Sequence, residues 1–141
     1  MGHYYGNIDY VSLLHRMRQH YTRYPLELQL TWLVEMVMIK VFIVLSETTN
    51  QLRYNAEEDR YTMYQYTVKM YLQRVGFNIS TINLLFSFRN KYVHEGPCAA
   101  KNLLSELKND HTLELIELSR FVDVNPNLNV TLYKLVEGED V

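Results

Sequence analysis

The spacing of apolar positions follows a helical period over most of the chain. Val11, Leu14, Arg18 and Tyr21 fall on one side of a first predicted helix, Ile8 to about Arg23, and Pro25 marks the break after it. Proline costs little in a first helical turn, so Pro25 also suits the start of a second helix reaching about Leu52. That second segment is apolar on nearly every side. Its Val and Ile content would suit strands too, but a run of this length without Gly or Pro favours a central helix. The polar interval Arg53 to Glu58 reads as a connector, and Asp59 can cap a third helix that closes at Gly76 after Val75. Tyr61, Tyr64, Val68, Tyr71 and Val75 form its stripe. Ser80 or Thr81 can cap a fourth helix through about His94, stopped by Gly96-Pro97. A fifth is expected over Ala99 to Lys108 and a short sixth over Thr112 to Phe121. Beyond Asn125-Pro126, alternation at Leu128, Val130 and Leu132 suits a short strand or an ordered tail.

The expected fold class is therefore all-α: an antiparallel up-down bundle of four to five helices, with a short C-terminal helix and a tail, forming a dimer. Residues 1–124 make the bundle and 125–141 a C-terminal extension. Composition supports a single ordered domain, because 141 residues with 48% apolar and 21% charged side chains can bury one continuous core. Cys98 is the sole cysteine and has no partner within its chain, which fits a reducing compartment and a cytoplasmic location. No signal peptide is expected from the Met1-Gly2-His3-Tyr4-Tyr5 start. No membrane span is expected either, since the most apolar stretch, Leu30 to Leu45, carries Glu35 and Lys40 and is shorter than the roughly 20 residues a span needs.

Charge changes this picture in one respect. The net charge of −2 speaks against a protein that coats nucleic acid non-specifically, yet sign varies along the chain. Between Asp9 and Glu27 the titratable or charged groups other than tyrosine are His15, Arg16, Arg18, His20 and Arg23. From Glu106 to Val141 there are eight acids against Lys108, Arg120 and Lys134. The first helix is the expected electropositive face.

Candidate chemistry sits in the fourth helix. On a helical wheel Ile82, Leu85, Phe86, Arg89 and Val93 share one face, so Arg89 lies in an apolar stripe. Asn83, Ser87, Asn90, Lys91 and His94 fall on the polar side, with Asn90 one turn before His94 and able to orient its imidazole. A guanidinium in an apolar seam needs a carboxylate partner or a solvated crevice. Arg89 and His94 are separated by about 140° around the helix, so one copy does not aim both at one point. A twofold axis beside this helix would gather two copies of each in one cleft.

The stretch Phe88-Arg89-Asn90-Lys91-Tyr92-Val93-His94 resembles the RxxxxH signature of the HEPN family, with an aromatic before the Arg, a polar residue after it and the His at a helix end. Members of that family are helical bundles, and many dimerise so that paired signatures line a cleft that cuts RNA without a metal. The resemblance implies a metal-independent endoribonuclease of a toxin or phage-defence system, with no cofactor. Arg89 and His94 would be catalytic and Asn90 their polar companion. Lys91, Arg16 and Arg18 would hold the RNA backbone. An antitoxin or inhibitor protein is the implied control partner. HEPN toxins paired with a nucleotidyltransferase antitoxin often carry a Tyr two residues after the His, whereas Gly96 stands there in this chain.

Two other functions fit the same residues. One is a non-catalytic dimer of the same fold that binds RNA or a protein in the same cleft. The other is a structural bundle whose interface is the tyrosine stripe, since the 12 tyrosines suit a protein contact as well as a core. His15 and His20 are expected on solvent-facing positions, because five-residue spacing puts them on different faces and no Cys or carboxylate cluster completes a metal shell.

Overall fold

The computed structural model describes residues 2–5, 10–20, 23–48, 53–55 and 60–122. The expected tail alternation at Leu128 to Leu132 lies outside them. Six helices pack together: α1 (Tyr10–His20), α2 (Leu26–Thr48), α3 (Gln65–Arg74), α4 (Ile79–Glu95), α5 (Lys101–Asp110) and α6 (Thr112–Phe121). Three short strands accompany them: β1 (Gly2–Tyr5), β2 (Arg53–Asn55) and β3 (Arg60–Tyr64). They form an antiparallel sheet in the order β1-β3-β2, with Gly2 opposite Tyr64 and Tyr54 opposite Tyr61.

The body is helical as expected, and the sheet is an addition to it. Its third strand occupies the stretch read as the first turn of the third helix, and that helix starts at Gln65, with Asp59 outside the described residues. The physical reason is pairing. Tyr61-Thr62-Met63-Tyr64 has the aromatic and β-branched content of a strand, and neighbours on both sides satisfy its backbone. The tyrosine stripe is thereby divided. Tyr61 and Tyr64 lie on the strand, while along α3 Val68 is buried, Tyr71 half-buried and Val75 exposed.

α2 is the centre. Leu30, Leu33, Val34, Met36, Val37, Met38 and Val41 are all sealed from solvent, and Ile39 and Phe42, on the remaining side of the helix, are buried too. A helix without a polar face is stable in water only when wrapped, and α1, α3, α4 and α6 pack against it. The Pro25 carbonyl accepts the amides of Leu28 and Gln29 at 3.0 and 2.9 Å, so the proline stands just before the helix that it opens. Leu26–Leu45 is long and apolar enough to cross a membrane by length and composition, longer than the stretch expected, and 67% of it is buried against the rest of the chain.

Around this core, Phe86 and Phe88 of α4 are fully buried, and Lys69 of α3 lies 5.4 Å above the Phe86 ring. Thr81, near the start of α4, shares a 2.7 Å hydrogen bond with His111 at the junction of α5 and α6. That contact pins the start of α4 to the far helices, and its other end carries the candidate chemistry.

Candidate functional site

α4 begins earlier than the sequence suggests. Asn78 is its cap, accepting the amides of Ser80 at 2.8 Å and Thr81 at 3.3 Å, in place of the Ser80 or Thr81 cap expected. The helix then runs through Glu95 and ends on Gly96, whose amide bonds to the Tyr92 carbonyl. Gly96 has φ 94° and ψ 174°, a conformation essentially restricted to glycine. The departure from the toxin pattern at this position thus has a backbone reason: a tyrosine side chain at residue 96 would be strained.

Arg89 projects from α4 onto α2. Its Nε donates to Glu35 Oε1 at 2.8 Å and its Nη2 stands 2.7 Å from the same oxygen. The third nitrogen, Nη1, donates to Asn90 Oδ1 at 3.2 Å. Asn90 in turn exchanges two hydrogen bonds with Gln65 at the start of α3, 3.0 Å from Gln65 Nε2 to Asn90 Oδ1 and 3.1 Å from Asn90 Nδ2 to Gln65 Oε1. A chain Glu35–Arg89–Asn90–Gln65 therefore ties three helices. It fixes the guanidinium on three of its donor directions and satisfies polar groups that the apolar surroundings would otherwise penalise. The side chains of Arg89 and Glu35 keep 13% and 32% of their exposure, so the ion pair is largely desolvated yet opens to solvent on the Glu35 side.

Of the two alternatives for Arg89, the carboxylate partner is the one present, supplied by Glu35 of the same protomer. One expectation changes. Asn90 does not orient His94, because its carbonyl oxygen and amide nitrogen are engaged by Gln65 and Arg89. His94 is exposed in the last turn of α4, and Lys91 is exposed three residues before it. Arg16 is exposed on α1, which packs on α2, and among the described residues no hydrogen bond or ion pair joins it to Arg89 or His94. Arg18 lies within α1, its side chain outside what is described. One protomer thus gathers Arg89 and Asn90 and leaves His94, Lys91 and Arg16 apart.

Glu35 and Gln65 are the residues that sequence reasoning missed. A signal for Glu35 existed: it is the sole acid in α2 between Glu27 and Glu47, set among Leu33, Val34, Met36 and Val37. Two opposite charges, each isolated on an apolar helix face, are expected to find one another. Gln65 carried no such mark. Among the described residues no three His, Cys, Asp or Glu side chains converge as a metal site would require. Compared with known proteins, the chain matches no family model, no curated protein and no solved structure.

Proposed function

We propose that this chain is a metal-independent endoribonuclease of the HEPN type, active as a homodimer in the cytoplasm as a toxin or phage-defence effector held by an inhibitor protein. The observation that carries the proposal is the rigid placement of Arg89 at the late part of α4, with an exposed imidazole, His94, at the end of the same helix. Pre-oriented cations act on phosphoryl charge without reorganising, which is the main resource of a metal-free nuclease. In the reaction, a base takes the 2′-hydroxyl proton and the 2′-oxygen attacks phosphorus. The bond to the 5′-oxygen breaks, and an acid returns a proton to it, leaving a 2′,3′-cyclic phosphate and a 5′-hydroxyl. His94 from the two protomers would supply the proton steps. Arg89 would meet the phosphoryl oxygens through the guanidinium hydrogens not engaged by Glu35 and Asn90.

A second reading is favoured by the ion pair itself. A guanidinium already neutralised by Glu35 offers a phosphate less charge, which suits a non-catalytic dimer that binds RNA or a protein partner in the same place. RNA incubated with pure protein in excess EDTA separates the two. Cleavage to cyclic-phosphate ends that vanishes in an Arg89→Ala, His94→Ala double variant supports the nuclease. Equal behaviour of wild type and double variant removes it, and RNA binding without scission leaves the second reading.

A further inference from the structure

A cavity of about 330 Å³ opens at the end of the bundle where α4 stops, next to the ion pair but separate from it. The half-buried ring of Tyr92 gives it an aromatic wall, backed by the fully buried Phe88 one turn earlier on α4 with ring centroids 5.8 Å apart, and Pro97 and Leu104 complete the apolar part. Two opposite charges line it as well, Glu27 from α2 and Lys101 from α5. α2 and α5 each pack against α4, so the carboxylate and the ammonium reach the cavity from different helices. The volume lies in the range of small-ligand sites.

These groups restrict what fits. A wholly apolar occupant would desolvate both charges without compensation. A free amino acid carries its ammonium and carboxylate on one carbon, whereas here the complementary charges stand on separate walls. A flat ring with a hydrogen-bond donor edge at one end and an anion at the other matches the lining: the ring against Tyr92, the donor edge towards Glu27, the anion towards Lys101. We propose that this cavity is a nucleobase subsite that takes one base of a single-stranded RNA, with the adjoining phosphate on Lys101. The inference rests on the RNA reading above and deepens it. Phe88 and Tyr92 share α4 with Arg89, so the cavity and the ion pair are borne by the same helix.

Cys98 also lines the cavity, and it is the sole cysteine of the chain, so its alkylation reports occupancy directly. In the full-length protein, adenosine and guanosine monophosphates titrated through the low millimolar range are expected to slow Cys98 alkylation by N-ethylmaleimide saturably, about tenfold at roughly nine times their Kd. Ribose 5-phosphate, inorganic phosphate and phenylalanine are expected to leave the rate unchanged. Tyr92→Leu and Lys101→Ala should each weaken nucleotide protection, read as the ratio of the rates with and without nucleotide within each variant. Lys101 is exposed, so that variant remains informative if the Tyr92 change disturbs folding. No protection by any nucleotide, equal protection by phosphate or by phenylalanine, or full protection in the Lys101→Ala protein overturns the subsite. The outcome is separable from nuclease activity. Cleavage in EDTA without nucleotide protection sinks the subsite alone, and protection without cleavage sinks the nuclease alone.

Discussion

Under the nuclease proposal Arg89 has two tasks that pull apart at the scale of the residue. Its pairing with Glu35 stabilises the α2–α4 contact, and its value to a phosphate depends on the hydrogens that this pairing leaves. Because Arg89 is largely covered and Glu35 partly open, their coupling in a double-mutant cycle with Glu35→Ala and Arg89→Ala is expected at about 1–2 kcal/mol, between surface and buried pairs. Chemical denaturation of the four proteins measures it. Glu35→Gln separates the functions more sharply. If Glu35 holds the guanidinium in register for catalysis, RNA cleavage falls by about tenfold or more, because small misplacements of a catalytic group are costly. If Glu35 only neutralises it, RNA binding tightens and no cleavage emerges. Asn90→Ala should cost about 1–3 kcal/mol in unfolding free energy, since it leaves the buried amide of Gln65 without a partner.

For whole elements, the caps of α4 decide where the chemistry stands. Asn78 closes its first turn, and Asn78→Ala is expected to lower stability by about 1 kcal/mol, roughly 4 °C in Tm. At the other end a Cβ built on Gly96 would meet no atom within 4 Å, so the penalty of Gly96→Ala comes from the backbone alone, about 1–3 kcal/mol. The signature of this strain would be local: faster amide exchange in the last turn of α4 and at Cys98, with the Asn78 turn unchanged. Most helices were legible in sequence to within a few residues. α6 matches its expected span, while α4 began early because the strongest cap was Asn78, overlooked beside the hydroxyls of Ser80 and Thr81.

Across the whole molecule, the nuclease proposal requires two protomers, and sedimentation equilibrium at micromolar concentration should return a dimer. A strict monomer with full activity would remove the composite site. In the same proposal the first helix contributes charge rather than geometry. Arg16 is exposed on α1 and no acid interrupts Tyr10 to Pro25, so Arg16→Ala should weaken RNA binding evenly across sequences and lower the salt slope by about 1. Failure to change either would assign this face to another use.

The amino-acid sequence alone determined the helical body, the central place of α2 and the isolation of Arg89 in an apolar stripe. Each follows from periodicity and from the cost of burying polarity, both of which are local properties of the chain. Tertiary structure decided the rest. It converted the start of the expected third helix into a strand, because β1 and β2 were there to pair with it. It gave Arg89 to Glu35, 54 residues away, and Asn90 to Gln65 instead of His94. Hydrogen-bond partners at such separations depend on how helices pack, and no spacing rule along one helix can name them.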